Sequence, residues 1–230
     1  MIALTAPLLW LAVTFVVFEG ADSLSRASNR HPFAHPVLLA TPVLIAILYF
    51  SGTDYRSYYD ATFPLSFLLG PAVVGLAVPI WEKRALIRRL ALPIGIALSA
   101  GAVTAIISAV GIMLAFGAPQ DILVTIAPRA TTTPVAMAMA TALGGVPSLA
   151  AAIVLFAGVV GGMTATPLFN LMKVTDYRAR GFAAGVSAHG FGTARAFQVD
   201  PTAGAFASLG MALNAVFTAT LLSMAGLLLG

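Results

Sequence analysis

Arg129 and Arg195 are the residues best placed to do chemistry, because each stands in a long apolar stretch with no carboxylate to answer it. No Asp or Glu occurs between Asp121 and Asp176, or between Asp176 and Asp200. In a hydrocarbon setting a guanidinium costs about 3 kcal/mol on insertion scales, so it usually faces a cavity or a partner. An anion would be such a partner. The planar fork of arginine matches a carboxylate bidentately, and the hydroxyls of Thr131, Thr132, Thr133 and Ser187 lie close enough in sequence to complete its recognition. A plainer account also stands, in which each arginine snorkels to an interface or bonds carbonyls freed by neighbouring prolines and glycines.

His189 is the one titratable group near neutral pH inside these stretches, and it could carry the proton of a proton-coupled cycle. The alternative is a neutral ring satisfied by a backbone carbonyl. Ser187 and His189 together invite a hydrolase reading, but residues two apart do not face each other on a helix and no orienting acid is evident. The expectation is therefore a protein that is not an enzyme. With no cysteine, no His-Glu-x-x-His and no Walker-type phosphate loop, neither a metal site nor a cofactor is expected.

The elements that must hold these residues follow from composition. Of 230 residues 60% are hydrophobic and 9% charged, and the mean hydropathy is +0.98, which does not suit a soluble surface. Eight apolar segments are read at 3–18, 36–51, 62–81, 90–116, 120–143, 146–171, 181–198 and 203–229. Several reach the ~20 residues needed to cross a bilayer, and all far exceed the alternating strands of a membrane barrel. The first lacks the positive leading region of a signal peptide and is taken as a retained span. No linker divides the chain, so residues 1–230 are expected to form a single transmembrane domain.

Apart from Arg129 and Arg195, the Lys and Arg residues fall between or at the edges of segments, with Lys83, Arg84, Arg88 and Arg89 in one loop and Lys173, Arg178 and Arg180 in another. They read as topology signals rather than a nucleic-acid surface, and both loops should be cytoplasmic, with the amino terminus outside. Three full crossings between these loops would put them on opposite sides. One segment must therefore fail to cross, and 120–143 is the suspect because Pro128 and Pro134 flank Arg129 and three threonines. Two half-helices entering and leaving from one side, or a helix broken near mid-membrane, are expected there. Segment 181–198 is interrupted in its own way, by Gly190 and Gly192 among others. The expected fold is all-α: a polytopic membrane helix bundle of about six full spans plus two interrupted or re-entrant segments, with a faint inverted repeat. Transporters use such broken helices to form a midplane site, where half-helix amino-terminal ends attract an anion. Gly158-x-x-x-Gly162 and Gly181-x-x-x-Gly185 are read as close helix approaches, and Asn214 as a bond across helices.

Four strings carry a family resemblance: Leu69-Gly70-Pro71-Ala72, Pro128-Arg129-x-x-Thr132-Thr133-Pro134-x-Ala136-Met137, Ser187-x-His189-Gly190-x-Gly192-Thr193-Ala194-Arg195-Ala196, and Gly204-Ala205-Phe206. In this order and spacing the chain resembles the LrgB/CidB family of bacterial membrane proteins from about Pro36 onward. Members commonly carry lysine where Arg129 stands, serine at Ala130 and threonine at Val73, so the charge is kept and two hydroxyls are lost. The resemblance implies two functions. One is antiholin-like control of murein hydrolases and lysis, exerted with a small holin-like LrgA/CidA partner. The other is carboxylate transport, as in the related plastid glycolate/glycerate translocator and in bacterial pairs linked to pyruvate uptake. It also implies the cell inner membrane as location and assembly into a homo-oligomer. The expected carboxylate site joins Arg129, Thr132, Thr133, Ser187, His189 and Arg195, opened by helix breaks at Gly70, Pro71, Pro128, Pro134, Gly190 and Gly192.

Overall fold

The computed structural model describes residues 2–31, 34–75 and 77–229, and every regular element among them is helical. In order these are α1 (Ile2–Ala27), α2 (Pro36–Ser51), α3 (Tyr55–Ala61), α4 (Phe63–Gly75), α5 (Ala77–Glu82), α6 (Arg84–Arg89), α7 (Ala91–Ala115), α8 (Gln120–Ile126), α9 (Thr133–Ala142), α10 (Pro147–Leu171), α11 (Tyr177–Val199) and α12 (Pro201–Leu229). Among the described residues four helices are long and apolar enough to cross a membrane: Pro7–Ala27 within α1, α7, α10, and Pro201–Gly226 within α12. The pair α2 and α3, bent by 116°, makes a fifth if it is one span. The chain is thus an all-helical, multi-pass membrane protein, with four or five candidate spans where the sequence suggested about six. Segment 62–81, the other span expected from the sequence, contains Leu76 and so lies partly outside the described residues.

Contacts divide the chain into two compact units, 1–75 and 76–230. In the first, α1 packs on α2 and α3, with Trp10 edge-on to Tyr58 at 5.6 Å and the Thr14 and Tyr58 hydroxyls 3.0 Å apart. Arg26 pairs with Glu19 and Asp22, and Arg30 with Asp22, so these two cations are answered by carboxylates of α1 itself. α4 runs through Gly70 and Pro71 to Gly75. The break expected there is absent, because a proline can cost a helix one bond without ending it.

The second unit contains every candidate for binding the anion. α7 and α12 run side by side in the same direction: Ile94 and Leu98 cluster with Phe206 and Leu209, while Ile106 and Val110 pack on the cluster that holds Leu222. Between α7 and α10 the chain makes a helical hairpin. α8 descends, the chain turns through residues 128–132, and α9 returns to the level from which α8 began. There Thr125 Oγ1 accepts the N–H of Val146 at 2.8 Å, and a Cβ on Gly145 would meet the Asp121 carbonyl at 3.2 Å. The first of the two alternatives for segment 120–143 is therefore the structure's. Pro128 sits in the break, whereas Pro134 lies in the first turn of α9, where a missing N–H costs no helix bond.

α11 is a second hairpin. At His189 the backbone takes φ 39° and ψ −123°, and the chain reverses within that residue. The limbs 177–188 and 190–199 lie against each other so closely that a Cβ on Gly192 would collide with the Ala184 carbonyl. The break falls on His189 itself, not on Gly190 or Gly192; Gly192 instead lets the limbs touch. The first limb also packs on α12, where side chains on Gly181 and Gly185 would strike the carbonyls of Ala203 and Ala207, as the glycine spacing led one to expect. Asp176 caps α11 by accepting the Arg178 N–H at 2.8 Å, and the Arg178 guanidinium bonded to it holds the Asp176 carboxyl down to about 2. The two hairpins start from opposite ends of α10, the first beside Val146 and the second beyond Leu171.

Candidate functional site

The hairpin tips meet at one side chain. Asn214, wholly buried in α12, donates from Nδ2 to the carbonyl of Ala130 in the first tip at 2.8 Å and to that of Val186 in the second at 3.1 Å. Its Oδ1 accepts the Thr218 hydroxyl at 3.2 Å, so both ends of the amide are satisfied. Both carbonyls need this donor. Ala130 lies outside any helix, and the carbonyl of Val186 belongs to the last turn before the reversal, where helix partners run out. A buried carbonyl left bare costs about 1–3 kcal/mol.

Arg129 projects from the first tip. Its own N–H is held by the Ile126 carbonyl at 3.0 Å, which fixes the backbone, while the half-buried side chain lines a cavity of ≈1170 Å³ between α7, α10 and the first limb of α11. Among the described residues its guanidinium has no ion pair and no hydrogen bond. Ser187 lines the same cavity, as does Thr164 of α10; the other walls are apolar, including Gly101, Phe156, Phe182 and Val186. The two hydroxyl protons are engaged on their own helices, Ser187 with Ala183 at 2.7 Å and Thr164 with Val160 at 2.8 Å. With their protons so engaged both hydroxyls are left as acceptors, and Arg129 supplies the donors.

The other sequence candidates are distributed around this point. Thr132 and Thr133 form the N-cap and first residue of α9, directly after Arg129, and no side-chain bond caps that helix end. The partial positive charge of α9 therefore lies at the tip that bears Arg129. His189 is buried, and its Nε2 donates to the Val154 carbonyl of α10 at 3.1 Å; a Cβ on Gly158 would occupy the space its ring takes. This is the carbonyl-satisfied histidine of the plainer account. Ser187 and His189 bond different carbonyls and make no nucleophile–base pair. Arg195 rides down the returning limb, about 9 Å from the reversal at 1.5 Å per residue. There its Nε reaches Thr166 Oγ1 at 3.3 Å and Nη1 reaches Gln198 at 3.4 Å. The six candidates thus do not converge: Arg129 and Ser187 share the cavity, Thr132 and Thr133 adjoin it in the chain, and His189 and Arg195 are bound elsewhere.

Such an arrangement can hold a small anion by one guanidinium and one half-helix end, with its remaining surface against apolar walls. Two residues escaped the sequence-based site, Thr164 and Asn214. Asn214 carried a signal, being an amide in the middle of an otherwise apolar segment.

Residues 14–227 match the LrgB-like family. The chain belongs to that family. Among its relatives, the holin-like protein CidB of Staphylococcus aureus (strain Mu50 / ATCC 700699) is 29% identical over 215 residues, covering 94% of this chain and 93% of its own. YxaC of Bacillus subtilis (strain 168), named as uncharacterized, is 35% identical over 186 residues and 80% of either chain. YwbG of the same strain, also named as uncharacterized, is 29% identical over 208 residues, 90% of this chain and 92% of its own. No solved structure matches. The LrgB-like match spans both hairpins and Asn214.

Proposed function

We propose that the chain is a carrier, or the transport subunit of one, for a small monocarboxylate of the pyruvate, glycolate or glycerate kind, working in the bacterial inner membrane. One observation carries this reading: Arg129, whose guanidinium has no partner among the described residues, borders a cavity where the two helical hairpins meet. Broken helices of this kind keep irregular backbone at depth only where protein or a wet cavity surrounds it. A single fixed cation between apolar walls favours a monoanion with a small apolar body over a dianion, which would leave one charge without a partner. Proton coupling belongs to the same reading. With Nε2 held on the Val154 carbonyl, Nδ1 is the ring nitrogen of His189 that would take up and release the proton.

A second reading rests on the names of the relatives, which favour it over any particular carboxylate. A holin-like or antiholin-like component would assemble in copies, or with a small LrgA/CidA-type partner, and govern membrane permeability and through it murein hydrolase activity. The two readings separate in proteoliposomes. A carrier loaded inside with unlabelled pyruvate takes up labelled pyruvate faster than an empty one, and the flux saturates. A pore shows no such trans-stimulation and passes unrelated solutes in proportion to their concentration, and that result would overturn the carrier.

A further inference from the structure

Asn214 lies outside the anion site yet holds both tips that frame it. Its Nδ2 is within 2.8 Å of the Ala130 carbonyl and 3.1 Å of the Val186 carbonyl, and these belong to hairpins that enter from opposite ends. Arg129 precedes Ala130, and Ser187 follows Val186, so the two residues bordering the cavity are each one peptide from a bond to the same amide. The two tip carbonyls can only accept, so they fix the amide with Nδ2 toward the tips, and the Thr218 hydroxyl donates to the Oδ1 that remains. All of these atoms are buried: Ala130 is 4% exposed, Thr218 2% and Asn214 0%.

We infer that Asn214 is a latch, a positioning residue that joins the two tips in one state of the cycle and releases one of them when the cavity changes the side to which it opens. Its place in the cycle rests on the carrier reading; the joining of the tips does not. Alternating access needs one bundle to move against another around the site. With both tips bound to one amide, a motion that parts the tips must break one of these two bonds. The latch sets turnover rather than affinity, since its side chain does not line the cavity.

The test uses the full chain, which has no native cysteine. Ala130→Cys is introduced as a reporter and labelled with N-ethylmaleimide, in the otherwise native protein and with Asn214→Leu. Loss of the latch should speed labelling by roughly ten-fold or more, because the tip opens without its donor. In proteoliposomes, Asn214→Leu should lower the maximal rate of labelled pyruvate uptake by roughly ten-fold or more while KM changes little, which a merely weakened anion site would not do. Should Asn214→Leu fail to fold, Thr218→Val removes the donor to the Asn214 Oδ1 at nearly constant volume, which loosens the amide, and should speed labelling to a lesser degree. Unchanged labelling in the variant that folds overturns the latch, and so does native-like uptake. If the unaltered protein takes up no pyruvate, the carrier reading fails and labelling alone decides whether Asn214 joins the tips.

Discussion

At the level of single residues, the sequence exposed Arg129 and Arg195 by the absence of any acid near them, but it did not show that the two would be separated. The reversal at His189 does this, because it sends Arg195 back down a returning limb while Arg129 stays at its tip. Nothing in a histidine flanked by Ala188 and Gly190 announces a φ of 39° with a ψ of −123°, which lies outside the left-handed helical region where the few L residues of positive φ gather. The residue holds that conformation at a cost of about 1–3 kcal/mol, with its ring anchored on Val154. A comparison of two variants isolates the backbone. Both His189→Gly and His189→Ala lose the ring, and only alanine keeps the strain, so His189→Gly should melt at the higher temperature in detergent. Equal melting temperatures would mean that the reversal is not strained.

At the level of elements, charge bias was enough to show that one segment between the two basic loops could not be a simple crossing, and two prolines indicated which. Which form of broken helix it took was not legible, because a hairpin and a bent span have the same composition. The contacts of Val146 with Thr125 and of Gly145 with Asp121 decide for the hairpin. Small residues marked the helix approaches correctly, since Gly158, Gly181 and Gly185 each meet a neighbour that a side chain would displace. Single cysteines test the hairpin in membranes. Gln120→Cys and Ser148→Cys, both at exposed positions flanking it, should react with an impermeant maleimide from the same face, and Arg88→Cys from the opposite one. Reaction of Gln120→Cys and Ser148→Cys from different faces would make segment 120–143 a full crossing.

At the level of the whole molecule, the hydropathy pattern set the class, a multi-pass helical membrane protein, and the four motif strings led to the family that residues 14–227 confirm. Its function is less directly written, because a carrier and a permeability-controlling component share apolar helices and basic loops. They differ in whether the interior holds a specific charge. The central claim is therefore that Arg129 binds the transported anion, and the most direct measurement is the concentration dependence of labelled pyruvate uptake into proteoliposomes by the native chain, Arg129→Lys and Arg129→Ala. Loss of one charge-assisted bond pair, at about 1.5–3 kcal/mol per bond, should lower kcat/KM by roughly ten-fold or more in Arg129→Ala. Arg129→Lys, which keeps the charge but not the fork, should retain part of it. Saturable uptake that is indifferent to Arg129→Ala would contradict the account.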